Sequence, residues 1–248
     1  MRQDHLCVAA LLTCCGLVVP AFADILGSAQ NFAVLGGSAV TNTGPTIING
    51  DLGIWPGGAI TGFPPGSVNG TTHVSDAVAM QAQSDVTTAY NSLAGMSPTQ
   101  NLTGMDLGGL TLMPGVYFFS SSAFLTGTLT LDAMGDPNAL FVFQIGSTLT
   151  SASNSSVVTI NSADACNAYW QVGSSATLGT DTAFQGNILA LASITLNTRA
   201  TLIDGRALAR NGAVTLDSNT ITAGCIPTPG AGVVLGVALL GVGTRRRR

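Results

Sequence analysis

Lysine and glutamate are absent from the whole chain, and charged residues of every kind make up only 8% of it, against about 25% in an ordinary globular protein. Between residues 24 and 226 there are three arginines, Arg199, Arg206 and Arg210, and eleven aspartates, a net charge of −8. A surface so poor in cations lacks the basic patch that nucleic acid or an anionic membrane surface requires, so neither is expected as a partner. Histidine is nearly missing as well: past residue 5 only His73 remains. A Ser-His-Asp triad would have a single base to draw on, and a zinc cage would lack ligands. The aspartates do not gather either. Asp51, Asp106, Asp132, Asp136, Asp164, Asp181, Asp204 and Asp217 stand singly, mostly beside Gly, Asn or Pro, where turn formation accounts for them. No EF-hand or Gly-Gly-x-Gly-x-Asp calcium repeat is present, so no metal and no cofactor is expected. Enzymes that cut polysaccharides need clustered carboxylates. The nearest approach is Asp204 with Arg206 and Arg210, which an ion pair between coils explains equally well, and the chain reads as non-catalytic.

Both ends differ in character from what lies between them. Residues 6–19 are apolar and precede Ala21-Phe22-Ala23, an A-x-A cleavage signal, so residues 1–23 read as a signal peptide and the product as exported. At the other end Pro227-Thr228-Pro229-Gly230 leads into an apolar run over 231–242 and then Arg245 to Arg248. That run is short for a membrane span, and the arginines favour a cytoplasmic position. The three-part ending over 227–248 resembles the bacterial PEP-CTERM sorting tails, with Pro-Thr-Pro-Gly where those have Pro-Glu-Pro. It implies a secreted or surface-anchored protein that meets a membrane only through this tail. Of five cysteines, Cys7, Cys14 and Cys15 fall in the leader. Cys166 and Cys225 remain for the mature domain; in an exported protein they read as one disulfide, with two buried thiols as the alternative.

In place of charge, the middle of the chain has threonine, serine, asparagine and glycine, arranged as a repeat. The phrase Ser175-Ala176-Thr177-Leu178-Gly179-Thr180, followed by Thr182 and Gly186, returns as Ser193-Ile194-Thr195-Leu196-Asn197-Thr198, with Thr201 and Gly205, and again as Ala213-Val214-Thr215-Leu216-Asp217. It occurs early too, at Ala39-Val40-Thr41, Thr43, Thr46 and Gly50. Apolar and small polar residues alternate as in half-buried strands, Gly and Pro break them every few residues, and the period varies from 18 to 27 residues. Self-similarity of this length is the signature of stacked coils, here an irregular solenoid with uneven loops. Coils stack about 4.8 Å apart and alternate residues of a strand lie about 6.7 Å apart, so outward threonines on successive coils would form a two-dimensional grid of hydroxyls and methyls. Leu and Ile alternate with those threonines, and the pattern alone leaves open which side faces out.

One stretch breaks the pattern. Residues 74–94 contain neither Gly nor Pro, and Val74, Val78, Ala82, Val86, Ala89, Tyr90 and Leu93 share one helical stripe. The spacing predicts a single helix over about 74–94, capped by Ser75 and ended by Gly95 and Pro98, with Gln81, Gln83, Ser84, Thr87 and Asn91 facing solvent.

Several separated blocks, in order, resemble the microbial ice-binding protein family: Phe32-Ala33-Val34-Leu35-Gly36-Gly37, Asn49-Gly50-Asp51-Leu52-Gly53, Pro114-Gly115-Val116-Tyr117, the run from Trp170 through Thr180, Phe184-Gln185-Gly186-Asn187-Ile188, and Gly205-Arg206-Ala207-Leu208-Ala209. The resemblance covers residues 25–225. It implies an all-β fold with one long helix: an irregular right-handed β-solenoid of roughly triangular section over residues 24–226, its first and last coils adjacent and the helix packed along one side. It also implies adsorption to an ice crystal surface through a flat face of Thr, Ser and Ala, without a cofactor. Candidates for that face are Thr41, Thr43, Thr46, Thr177, Thr180, Thr182, Thr195, Thr198, Thr201 and Thr215. Some relatives carry Thr-Ala/Gly-x-Thr/Asn there. Thr43-Gly44-Pro45-Thr46 fits that pattern, whereas Thr198-Arg199-Ala200-Thr201 places an arginine where a small residue is expected, and on the face itself it would disrupt ordered water. The alternative is a surface adhesin or structural envelope protein that uses the same face for a glycan or another protein.

Overall fold

The repeat folds as coils of three short strands separated by corners, and strand alternation decides what lies inside. In Ala176–Leu178, Ile194–Leu196 and Val214–Asp217 the apolar residues flanking each threonine are buried while the threonine points out. The computed structural model describes residues 25–224; the leader, Cys225 and the C-terminal tail lie outside them.

The chain opens with a 3-10 turn, Gly27–Asn31, and a coil of β1 (Phe32–Gly36), β2 (Ala39–Thr43) and β3 (Ile47–Asn49). A second coil follows through β4 (Asp51–Ile54), β5 (Ala59–Thr61) and β6 (Ser67–Asn69), and β7 (Thr72–Val74) closes that end of the stack. The helix α1 (Ala77–Ala94) then carries the chain to the opposite end. There β8 (Gln100–Asn101) and β9 (Thr111–Leu112) begin a run of coils through β10 (Gly115–Phe119), β11 (Ala123–Leu125), β12 (Thr128–Asp132), β13 (Phe141–Ile145), β14 (Leu149–Ser151), β15 (Ser156–Ile160), β16 (Ala168–Val172), β17 (Ala176–Leu178), β18 (Ala183–Ala190), β19 (Ile194–Leu196), β20 (Thr201–Ala209), β21 (Val214–Asp217) and β22 (Thr220–Thr222).

Every pairing of these strands is parallel, and the last coil docks on the first: β20 pairs β1, β21 pairs β2 and β22 pairs β3. The chain therefore starts in the middle of its own stack, and the first and last coils are neighbours as the resemblance implied. Two sheets result. One has seven strands in the order β11-β14-β17-β19-β21-β2-β5, and the other has fifteen and wraps a corner to form two sides of the solenoid. Strands β18 and β20 turn that corner, with a register shift between Gln185 and Asn187. Gly186 sits there at φ 95°, and a Cβ on it would come within 3.0 Å of Trp170 Nε1 and 2.9 Å of Ala168 O, so only glycine fits.

Inside, residues in register stack upon one another. Tyr117, Phe143 and Trp170 lie on successive coils with ring centroids 5.4 and 3.9 Å apart, and Phe184 tilts against Trp170 at 4.8 Å. The Trp170 indole N–H donates to Gln185 O, which satisfies its one polar atom.

The helix begins three residues later than the pattern predicts. Val74 belongs to β7, Ser75 takes a left-handed φ of 52°, and Asp76 is the cap, accepting from the Ala79 amide at 2.8 Å. Its buried stripe is Ala79, Ala82, Gln83, Val86, Ala89, Tyr90 and Leu93, packed against Leu35, Val142, Tyr169, Leu189 and Leu208 of the coils. Val74 and Val78, expected in the stripe, are exposed; Gln83, expected in solvent, is buried because its amide donates to Ala209 O. At the far end Gln144 of β13 donates to the carbonyls of Leu93 and Met96, tying down groups that a helix C-terminus leaves open. From β7 to β13 there are six coil spacings, about 29 Å. Eighteen helical residues span about 27 Å, so helix length and solenoid length agree.

Candidate functional site

The outward side of the seven-stranded sheet carries the threonines. Pairing places Thr150, Thr177, Thr195, Thr215, Thr41 and Thr61 in one unbroken column, each directly beside the next. Thr41 Oγ1 lies 3.4 Å from Thr215 Oγ1. Two residues earlier on the same strands the flanking positions are small: Thr148, Ser175, Ser193, Ala213, Ala39 and Ala59. Two residues later stand Thr43, paired with Asp217, and Asn197. The column ends at β11, where Phe124 stands opposite Thr150.

A corner bounds this face. Asn154, Asp181, Arg199, Ser218 and Gly44 all take φ between 56° and 80° there. Their amides bond to the next coil in series: Asn154 to Thr180 O, Asp181 to Thr198 O, Arg199 to Asp217 O and Ser218 to Thr43 O. This left-handed ladder explains why Asn, Asp, Ser and Gly recur at the corner, since they tolerate that conformation best. Arg199 is the exception, and its guanidinium leans on the previous coil, donating from Nε and Nη2 to the two carboxylate oxygens of Asp181, each at 2.7 Å. These hydrogen bonds, and after them the opposite charges, hold Asp181 below the usual carboxylate range and push Arg199 up. Arg199 thus lies at the corner, off the strands, with its charge matched. Thr198 Oγ1 beside it donates to Asp217.

A model of the ice-binding-like family matches residues 34–222. The chain belongs to that family. It is 65% identical over 206 residues to an ice-binding protein of Nostoc sp. (strain HG1), a match covering 83% of this chain and 76% of that one. An ice-binding protein of Colwellia sp is 34% identical over 218 residues, covering 82% and 84%. Among solved structures, an ice binding protein from an Antarctic biological consortium aligns with a TM-score of 0.77 at 55% identity, covering 79% of this chain and 89% of that one. The ice-binding protein of the Antarctic ascomycete Antarctomyces psychrotrophicus aligns with a TM-score of 0.77 at 44% identity, covering 80% and 97%.

Within this ice-binding-like fold the ten threonines singled out from the repeat do not all share a face. Thr41, Thr177, Thr195 and Thr215 stand in the central column and Thr43 in the column beside it. Thr180 and Thr198 sit at the corner, and Thr201 faces out from the neighbouring side, between Ala183 and Thr220. Thr46 and Thr182 must be set aside, because both are fully buried. Thr46 Oγ1 accepts from the Asn219 amide, and Thr182 bonds to Ser151 Oγ and Ala152 O. Each satisfies a corner from within. Two members of the column were missed, Thr150 and Thr61. Thr150 repeats the x-Leu-Thr phrase in Thr148-Leu149-Thr150, a usable signal; Ala59-Ile60-Thr61 lies among turn residues that mask it.

The trio that suggested catalysis does not converge. Arg206 is buried and acts as a clip, donating to Gln30 O at 2.8 and 2.6 Å, to Asn187 Oδ1 at 2.8 Å and to Gly224 O at 2.8 Å. It joins the opening turn, the corner of β18 and the end of the last coil. Arg210 lies over the Tyr90 ring at 4.6 Å, on the helix side. His73 pairs with Asp76, the helix cap, at 2.8 Å. Cys166 is buried.

Proposed function

We propose that the protein is an exported, non-catalytic ice-binding protein and that the contact face is the outward side of the seven-stranded sheet. The observation that carries this is the column of six threonines in register, flanked on one side by small Ser, Ala and Thr side chains and on the other by Thr43, Asn197 and Asp217. Parallel strands repeat each hydroxyl and methyl at about 4.8 Å across coils and about 6.7 Å along them. Water hydrogen-bonded to such a grid is held in a regular array, and the methyls between keep other water from competing. The rigidity comes from below, where every threonine of the column but Thr61 is flanked by buried residues. Nothing in this reading needs a bond to be made or broken, and the matched relatives bear the name of ice-binding proteins, so an adhesive role for the face is not taken up. Export through residues 1–23 and a Cys166–Cys225 disulfide tying the turn before β16 to the end of the domain belong to the same proposal.

Replacing Thr195, the third of the six, with tyrosine raises a ring above the middle of the grid and holds neighbouring threonines away from the crystal. Residues 24–226 carrying T195Y are expected to lose tenfold or more in the fraction taken up by growing ice, about 1.4 kcal/mol or more, while folding stability shifts by no more than about 0.5 kcal/mol. Uptake of the variant equal to that of the parent would refute the assignment of the face.

A further inference from the structure

We propose that Phe124 sets the outer limit of the contact face, so that a seventh row of the grid is built into the backbone but masked by one side chain; this rests on the ice-binding reading of the threonine column. Phe124 is 52% exposed, although most of the described phenylalanines, among them Phe119, Phe141, Phe143 and Phe184, are buried. It points outward because its neighbours Ala123 and Leu125 fill the core. In the sheet it stands where the column calls for threonine, paired with Thr150 in the same parallel register as every other row.

The lattice around it is intact. On the same strand Ser122 continues the flanking column, its hydroxyl 2.8 Å from Thr148 Oγ1, and Thr126 continues the other side. Only beyond Phe124 does the regular sheet stop. The next position is Asp106, joined by a single bridge, and its Oδ1 is occupied by the amides of Gly108 at 2.6 Å and Thr126 at 2.9 Å. The aromatic ring thus stands at the last regular row, between the hydroxyl grid and a carboxylate engaged by two backbone amides. A benzyl group reaches further from the strand than a threonine side chain and offers no hydroxyl. It holds the end coil of the stack away from a surface that the other six rows meet.

The test is Phe124→Thr, compared with Phe124→Tyr and with T195Y, all on residues 24–226. F124T completes a seven-threonine column, and its ice-bound fraction is expected to rise roughly two- to fivefold, the equivalent of about 0.4 to 1 kcal/mol. F124Y keeps the ring and should gain nothing. The ring is largely in solvent, so the melting temperature should stay within a few degrees of the parent, and this is measured alongside. If F124T gains nothing or loses uptake while T195Y still abolishes it, the face stands and Phe124 is no mask. If T195Y binds ice as the parent does, the ice-face reading fails, and the inference about Phe124 with it.

Discussion

Two sides of the same coils meet opposite fates. On one, the outward residues of successive strands include Leu35, Leu208 and Leu189, and α1 covers them, tied down further along by Gln144. On the other the outward residues are threonines, and no element of the described chain lies over them. Backbone geometry does not distinguish the two, since both are parallel ladders with the same rise per coil. What differs is the side chain that alternation turns outward. A leucine ladder gains by burial, about 1.5–3 kcal/mol for each side chain removed from water, and so selects a helix with a matching stripe. A threonine ladder presents a methyl too small to recruit a cover and a hydroxyl that is already hydrated. Leaving that face bare costs the fold little, which is what a surface reserved for crystalline water requires.

Moving a residue type from one side to the other should break the contrast. Leu208→Thr puts the hydroxyl under the helix, where Leu208 is fully buried beside Leu35 and Leu189. Lost apolar contact and a cavity should cost about 2–5 kcal/mol in urea unfolding. Protein that remains folded should still be taken up by ice as the parent is, because the threonine column is untouched. A loss of ice uptake without a loss of stability would mean that the helix side takes part in binding.

A second separation of the two sides is through pH. Asp85 and Asp76, both on the helix side, are held below the usual carboxylate range. At Asp85 partial burial acts in the opposite direction but is outweighed by hydrogen bonds from Ser28 Oγ at 2.6 Å, the Ser28 amide at 2.8 Å and Gln81. At Asp76 the Ala79 amide and then His73 are responsible. A carboxyl depressed in the folded state contributes stability above its unfolded pKa of 3.8, lost as pH falls through the lower folded value. Thermal stability should therefore decline from about pH 4 downward, and Asp85→Asn should flatten that decline. The threonine column has no titratable group, so ice uptake per folded molecule should stay constant over the same range. A fall in uptake ahead of the fall in stability would mean that Asp217, beside Thr43 in the adjoining column, or Asp181 at the corner takes part in binding.

The threonine column was legible because Thr177, Thr195 and Thr215 recur at intervals close to one coil, and stacking coils turn equal spacing into adjacency. Corners were not legible. Alternation stops at a left-handed residue, so Thr46, two positions past Gly44, and Thr182, one past Asp181, fall inside although the repeat aligned them with outward threonines. The helix was visible as a stretch without Gly or Pro, but its start was hidden, because Val74 suits a strand as well as a helix and only the cap at Asp76 decides. Arg206 illustrates a deeper limit. A buried guanidinium requires partners, and Gln30, Asn187 and Gly224 come from segments up to 194 residues apart in the chain, a convergence that stacking creates and local pattern cannot announce.

The smallest effect is expected from the sharpest control. Thr201 faces outward from the adjoining side, in register with Ala183 and Thr220, but the next residue in that row is Ile47, and Val158, Gln185 and Ile203 share the side with it. Large aliphatic and amide groups interrupt this grid at nearly every coil. Thr201→Tyr introduces the same ring as T195Y at a position of similar exposure one corner away. If the contact face is confined to the seven-stranded sheet, T201Y should leave ice uptake at the parental level and change stability by no more than about 0.5 kcal/mol. Equal losses from T201Y and T195Y would show that the two sides act as one surface, and the contrast between a bare threonine side and the rest of the solenoid would have to be redrawn around the corner that holds Arg199 and Asp181.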